Sequence, residues 1–140
     1  MQKYANIVDK YIVLRYSDYI EVRYIVVRWC FKGRGVKMDA HIKKVYVPMT
    51  ETGFYILLCL QEEMHGYSIV QKVEELTQGE IRLSPGTMYG SLSKMEKDGI
   101  IRFVREEDKR KIYVITELGI DVLELEKKRI KRLYQTLQEV

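Results

Sequence analysis

The chain has 140 residues, with 24 Lys and Arg against 20 Asp and Glu and two cysteines. That length holds one domain and an additional segment. The longest apolar run, Phe54 to Leu60, is far short of the roughly 20 residues that span a bilayer. No basic stretch followed by a long apolar one opens the chain, so neither a membrane span nor a secretory leader is expected. Cys30 and Cys59 lack metal-ligand spacing, and this cysteine usage fits a reducing cytoplasm. The positive charge is uneven. Residues 1–48 carry ten Lys or Arg against four Asp or Glu, whereas residues 49–140 carry fourteen against sixteen. Any nucleic-acid reading of the larger part therefore rests on local clusters and not on the total.

Residues 1–48 are set apart as a basic, aromatic N-terminal extension. Three related hexamers begin at Tyr11, Tyr19 and Tyr24, and their Tyr, Ile and Val content favours strands. Their uneven spacing of eight and then five residues suits no repeat architecture. A second reading lies in the codons. Tyr-Ile-Val-Xaa-Arg-Tyr is encoded by AT-rich repeats, and Phe31 to Lys37 by a purine-rich run like a ribosome-binding site, just before Met38. On that hypothesis residues 1–37 are upstream DNA translated from an early start, and Met38 or Met49 is the natural one. Peptides from residues 1–37 in the endogenous protein would sink it.

From Met49 the chain reads as a compact helical domain. Thr50 is placed to cap a helix running to about Glu63. Gly66 marks a turn before a second helix, Tyr67 to Leu76, with Gly79 in the position of a helix C-terminal glycine. Ile81 and Leu83 alternate with polar neighbours as a short strand. Ser84 and Pro85 then open a third helix as cap and first residue, with Met88, Leu92 and Met95 on one apolar stripe. Asp98-Gly99 closes it. Strand-like runs Ile100 to Val104 and Ile112 to Ile115 flank a charged hairpin tip, Arg105 to Lys111. Thr116 caps a last helix to about Gln138, whose residues Ile120, Leu123, Ile130, Tyr134 and Leu137 keep the spacing of a seam, broken by Lys127 at one position, for a partner helix, most simply from a second copy.

Catalysis has little support. His41 and His65 are the only histidines and belong to no metal or nucleophile pattern; His65 beside Gly66 reads as a turn or capping residue. Ser84, Ser91 and Ser93 lack a paired His and acid. The chain is read as no enzyme, with no metal or cofactor. Helix, helix, short strand, helix and hairpin is the order of a winged helix-turn-helix, in which the third helix enters the major groove and the hairpin lies along the backbone. In that frame Thr87 and Ser91 are placed for base edges or phosphates, and Lys94 for phosphate. Tyr89 offers a hydroxyl to phosphate or a ring to a thymine methyl, while Lys109, Arg110 and Lys111 give the wing three cations.

Four motifs in order make the pattern specific: His65 to Ile69, Ser84 to Leu92, Glu96 to Ile101 and Lys111 to Gly119. They resemble the PadR family of transcriptional regulators over about residues 48–138, with Met88 in place of the commoner Leu, a swap of similar volume. The resemblance implies a mainly α (α+β) fold: a winged helix-turn-helix at 49–115 and a single dimerisation helix at 116–140, as in the small subfamily. It implies a cytoplasmic homodimeric repressor on an inverted-repeat operator in double-stranded DNA. Tyr67, Ser84, Thr87, Tyr89, Ser91, Lys94 and Lys109 to Lys111 are then the DNA-contacting set, although Tyr67 reads equally as a half-buried packing residue. Some small members hold flat drugs between tryptophans of the last helices. This helix has none, which leaves Tyr134 and aliphatic neighbours for a small aromatic or hydrophobic effector. Two rivals stay open: a winged-helix protein–protein module without specific DNA binding, and a small enzyme in which the first segment forms a real β-layer.

Overall fold

A computed structural model describes residues 38–140, and the first element in it is a helix that the sequence pattern merges into the extension. α1 (Ala40–Tyr46) is capped by the Asp39 carboxylate, which accepts the His41 N–H at 3.0 Å. Ile42 and Tyr46 turn into the same core as the later helices. The compact unit therefore includes described residues ahead of the boundary expected at residue 48. Two inward positions in a seven-residue helix are too few to register as periodicity. Both the strand and the early-start readings of residues 1–37 lie outside the described residues.

α2 (Glu51–Cys59) starts where expected, with Thr50 Oγ1 accepting the Gly53 N–H at 3.1 Å. Ile56, Leu57 and Leu60 are fully buried. The helix stops short of Glu63 because sheet contacts outcompete it. The Leu60 carbonyl accepts from the Ile115 N–H at 2.8 Å. Met64–His65 then forms β1, paired with Tyr113 and Ile112. Gly66 is no free turn: it opens α3 (Gly66–Leu76), capped by His65, whose Nδ1 accepts the Ser68 N–H at 3.2 Å. A Cβ at Gly66 would lie 2.6 Å from Met88 Cε, so the glycine permits close packing of α3 on the next helix. Gly79 ends α3 as expected, at φ +83, with its N–H on the Glu74 carbonyl at 2.8 Å.

Ile81 to Leu83 forms no strand. Its alternation reflects two inward side chains, Leu83 buried and Ile81 half-buried, on an extended connector tied back by Ile81 N–H to Thr77 Oγ1 at 3.1 Å. α4 (Pro85–Lys97) buries Met88, Leu92 and Met95, as the spacing predicts. β2 (Ile101–Glu107) and β3 (Arg110–Ile115) pair antiparallel in a three-stranded sheet of order β1-β3-β2, with a bulge between Phe103 and Arg105. The charged stretch expected as a loop is mostly strand, because ladder hydrogen bonds use the backbone whatever the side chains. Only Asp108 and Lys109 turn, both at positive φ (49 and 62), the geometry that matches strand twist in a two-residue hairpin.

α5 (Glu117–Glu139) is capped by Thr116, which accepts the Gly119 N–H at 3.2 Å. Its first half docks on its own domain. Leu123 and Val122 are fully buried and Ile120 packs against the core. Of the five seam residues, then, Leu123 and Ile120 serve the protomer itself: the helix rotates about 100° per residue, and the domain occupies that face before the seam clears it. Ile130, Tyr134 and Leu137 are exposed, the last two at 62% and 74%, together with Leu133. Glu126 is buried and held by both Nε and Nη2 of Arg129. Among the described residues, no helix is long and apolar enough to cross a membrane.

Candidate nucleic-acid interface

Opposite the buried stripe of α4, the 100° helical step aligns Gly86, Gly90, Ser93 and Lys97, and all four are exposed. Thr87 and Lys94 flank this line on one side and Tyr89 on the other. A Cβ at Gly86 or Gly90 would meet nothing within 4 Å, so no internal packing asks for either glycine. Gly90, in the helix interior, costs about 0.8–1 kcal/mol relative to alanine. The effect of the two glycines is a flat outward face. Ser91, expected among the contacts, is half-buried beside the core stripe. Ser84 is engaged as a cap. Its hydroxyl accepts the Thr87 N–H at 3.2 Å and donates to Thr87 Oγ1 at 2.9 Å, which orients Thr87.

Beside this face, α3, α4 and the wing enclose an open cleft of about 380 Å³. Tyr67 and Tyr89 line it, each 57% exposed. Lys109, Arg110 and Lys111 form the wing side, and the Arg110 guanidinium sits 5.9 Å from the Tyr67 ring centre. His65, stacked on Tyr67 at 6.5 Å, and Tyr113 complete it. These two are missed by sequence reasoning, because only strand pairing of β1 with β3 brings them there. No carboxylate lines the cleft. Arg105 binds Glu63 and, at 2.5 Å, Glu107, and these contacts raise its affinity for its proton. Of the hairpin's acidic residues, Glu107 is thereby neutralised.

Lys94 departs from its expected role as a free phosphate contact. Its ammonium lies 2.8 Å from Asp98 Oδ2 and 3.3 Å from the Tyr46 hydroxyl. Tyr46 in turn donates to the same carboxylate oxygen at 2.6 Å. The i,i+4 spacing favours the ion pair, and α1 supplies the third member. Hydrogen bonds from Lys94 and then Tyr46 hold the Asp98 carboxyl below its usual range, and the bond to Asp98 raises Lys94. Burial and then the bond to Asp98 push Tyr46 up to about 12.

A winged helix whose third helix and wing share one cationic, aromatic cleft narrows the candidates, and the sequence pattern of the transcriptional regulator PadR-like family matches residues 56–125. The chain belongs to the PadR-like family. It is 28% identical over 78 residues to the transcriptional regulator YqjI of Escherichia coli, covering 56% of this chain and 38% of that protein. The chain spans less than two thirds of the length of the curated relatives it matches. Among solved structures, a PadR family transcription regulator of Clostridium difficile superposes with a TM-score of 0.57 at 27% identity, over 64% of this chain and 97% of that one. A PadR-like regulator of Bacillus cereus does so at 0.53 and 26%, over 63% and 87%. The PadR-like winged helix is thus shared in fold as well as in motif.

Proposed function

We propose that this PadR-like chain is a homodimeric, sequence-specific DNA-binding regulator: a repressor on an inverted-repeat operator, released by a small aromatic or hydrophobic effector. The observation that carries the reading is the cleft shared by Tyr67, Tyr89 and the wing cations, contiguous with the flat outward face of α4. An α-helix fits the major groove, and the absence of side chains at Gly86 and Gly90 lets its backbone approach the bases. Thr87 and Tyr89 then reach base edges or phosphate. Lys109, Arg110 and Lys111 follow the backbone, supplying affinity that falls with salt. Because residues 49–140 carry more acid than base, attraction is local to this face.

Dimerisation is assigned to the exposed half of α5, where Ile130, Tyr134 and Leu137 offer an apolar face with nothing of their own domain on it. A two-fold pair would place the α4 helices about one DNA turn apart, roughly 34–36 Å. An effector bound against Tyr134 would change the angle between the α5 helices and with it that spacing. The test is fluorescence anisotropy with duplex DNA from upstream of the gene and a scrambled control, at low and moderate salt. Preferential binding of the upstream duplex, reduced by Tyr89→Ala and Arg110→Ala, is expected. Equal or absent binding to both at low salt overturns the reading and leaves a protein–protein module.

A further inference from the structure

We propose that Asp98, fixed by Tyr46, masks the charge of Lys94 and is a specificity-determining residue that keeps sequence-independent phosphate binding low. This inference rests on the DNA-binding reading. Lys94 flanks the outward line of α4, on the side away from Tyr89 and the wing, with 56% of its side chain exposed. Unpaired, it would offer an ammonium to any nearby phosphate, a contact that adds affinity without sequence information. With Asp98 Oδ2 at 2.8 Å, an incoming backbone meets a pair without net charge.

An exposed i,i+4 pair alone is worth a few tenths of a kcal/mol, too little to keep a lysine from a phosphate. The Tyr46 hydroxyl changes that. It comes from α1, 52 residues earlier, and its 2.6 Å bond fixes the carboxylate at the place where Lys94 finds it. Tyr46 is itself 6% exposed, anchored in the core. The position of Asp98 is also costly for the helix. It is the C-cap of α4, where the helix dipole disfavours negative charge. A carboxylate there gives α4 nothing that an amide would not, whereas it gives Lys94 a counter-charge.

The test compares wild-type protein with Lys94→Ala, Asp98→Asn, the double variant and Tyr46→Phe. Binding to a random-sequence duplex is followed by anisotropy across a salt series, and thermal unfolding monitors the fold. Each freed cation steepens the dependence of log affinity on log salt by about 0.9. D98N should therefore lose about 3.5-fold more affinity than wild type over a fourfold rise in salt, for each protomer bound. The double variant, which removes both charges, should return to the wild-type slope, and Lys94→Ala alone, which leaves the Asp98 carboxylate uncompensated, should be no steeper than wild type. Y46F should fall between wild type and D98N. A wild-type slope in D98N, or a double variant whose slope departs from wild type, overturns the proposal. Should D98N not fold, the Y46F slope decides: steeper than wild type supports masking, unchanged overturns it. No DNA binding by the wild-type protein would overturn both readings; binding with equal slopes overturns this one alone.

Discussion

Replacing Gly90 by alanine separates what α4 needs as a helix from what it needs as a reading surface. Gly90 is the sixth of thirteen residues in α4, and a Cβ there would meet no heavy atom within 4 Å. The methyl therefore adds helix propensity without a clash, stabilising each protomer by about 0.8–1 kcal/mol. For a domain of this size that corresponds to a rise in Tm of about 4–8 °C. On DNA the sign reverses. A methyl on the groove-facing line forces open a close contact at about 1–3 kcal/mol on the scale of an overpacked core, or roughly 5- to 150-fold in affinity. Thermal unfolding by circular dichroism and anisotropy on the operator duplex read the two effects independently. A raised Tm with unchanged operator affinity would refute the assignment of this face to the groove. A lowered Tm would show that the face is not free.

The remaining predictions concern packing and charge. Gly119→Ala places a methyl into the Ile100 carbonyl oxygen and 2.7 Å from Ile115 Cγ1; since backbone cannot yield as a side chain does, unfolding midpoints in urea should fall by more than about 3 kcal/mol of stability, the upper end of ordinary overpacking. Leu123→Ala and Leu137→Glu distinguish the two halves of α5. The first should cost about 2–5 kcal/mol by leaving a cavity, whereas the second should keep the fold and halve the mass seen by sedimentation. The Asp98 carboxyl, held low by Lys94 and Tyr46, contributes stability that is complete above about pH 4 and lost as pH falls through its folded value. D98N should therefore be less stable than wild type by a constant amount between pH 6 and 8, and the gap should close as pH falls below 4, measured by urea unfolding at each pH.

Much of the fold is legible because it is local. Thr50, Ser84 and Thr116 cap helices in the structure, and Met88, Leu92 and Met95 form the buried stripe that their spacing predicts. What fails is where a distant segment decides. β1 exists because Met64 and His65 meet β3, some fifty residues later, and that pairing is also what ends α2 early. The wing cations are correctly placed near the tip, yet their grouping with Tyr67 and His65 depends on the same pairing. α1 is invisible as a functional element, since its meaning lies in the Tyr46 contact with Asp98.

Sequence alone determined the helices from α2 onward, the hairpin, the polarity of the α4 faces and the family, because caps, helical period and motif order are short-range properties. Tertiary structure decided which charges are free. Lys94 and Arg110 are equally basic residues in the sequence; packing of α1 brings the Tyr46 hydroxyl that fixes the Asp98 partner of one, while strand pairing turns the other toward Tyr67. A charge is defined by its residue, but its availability to a partner is set by what the fold places within a few ångströms of it.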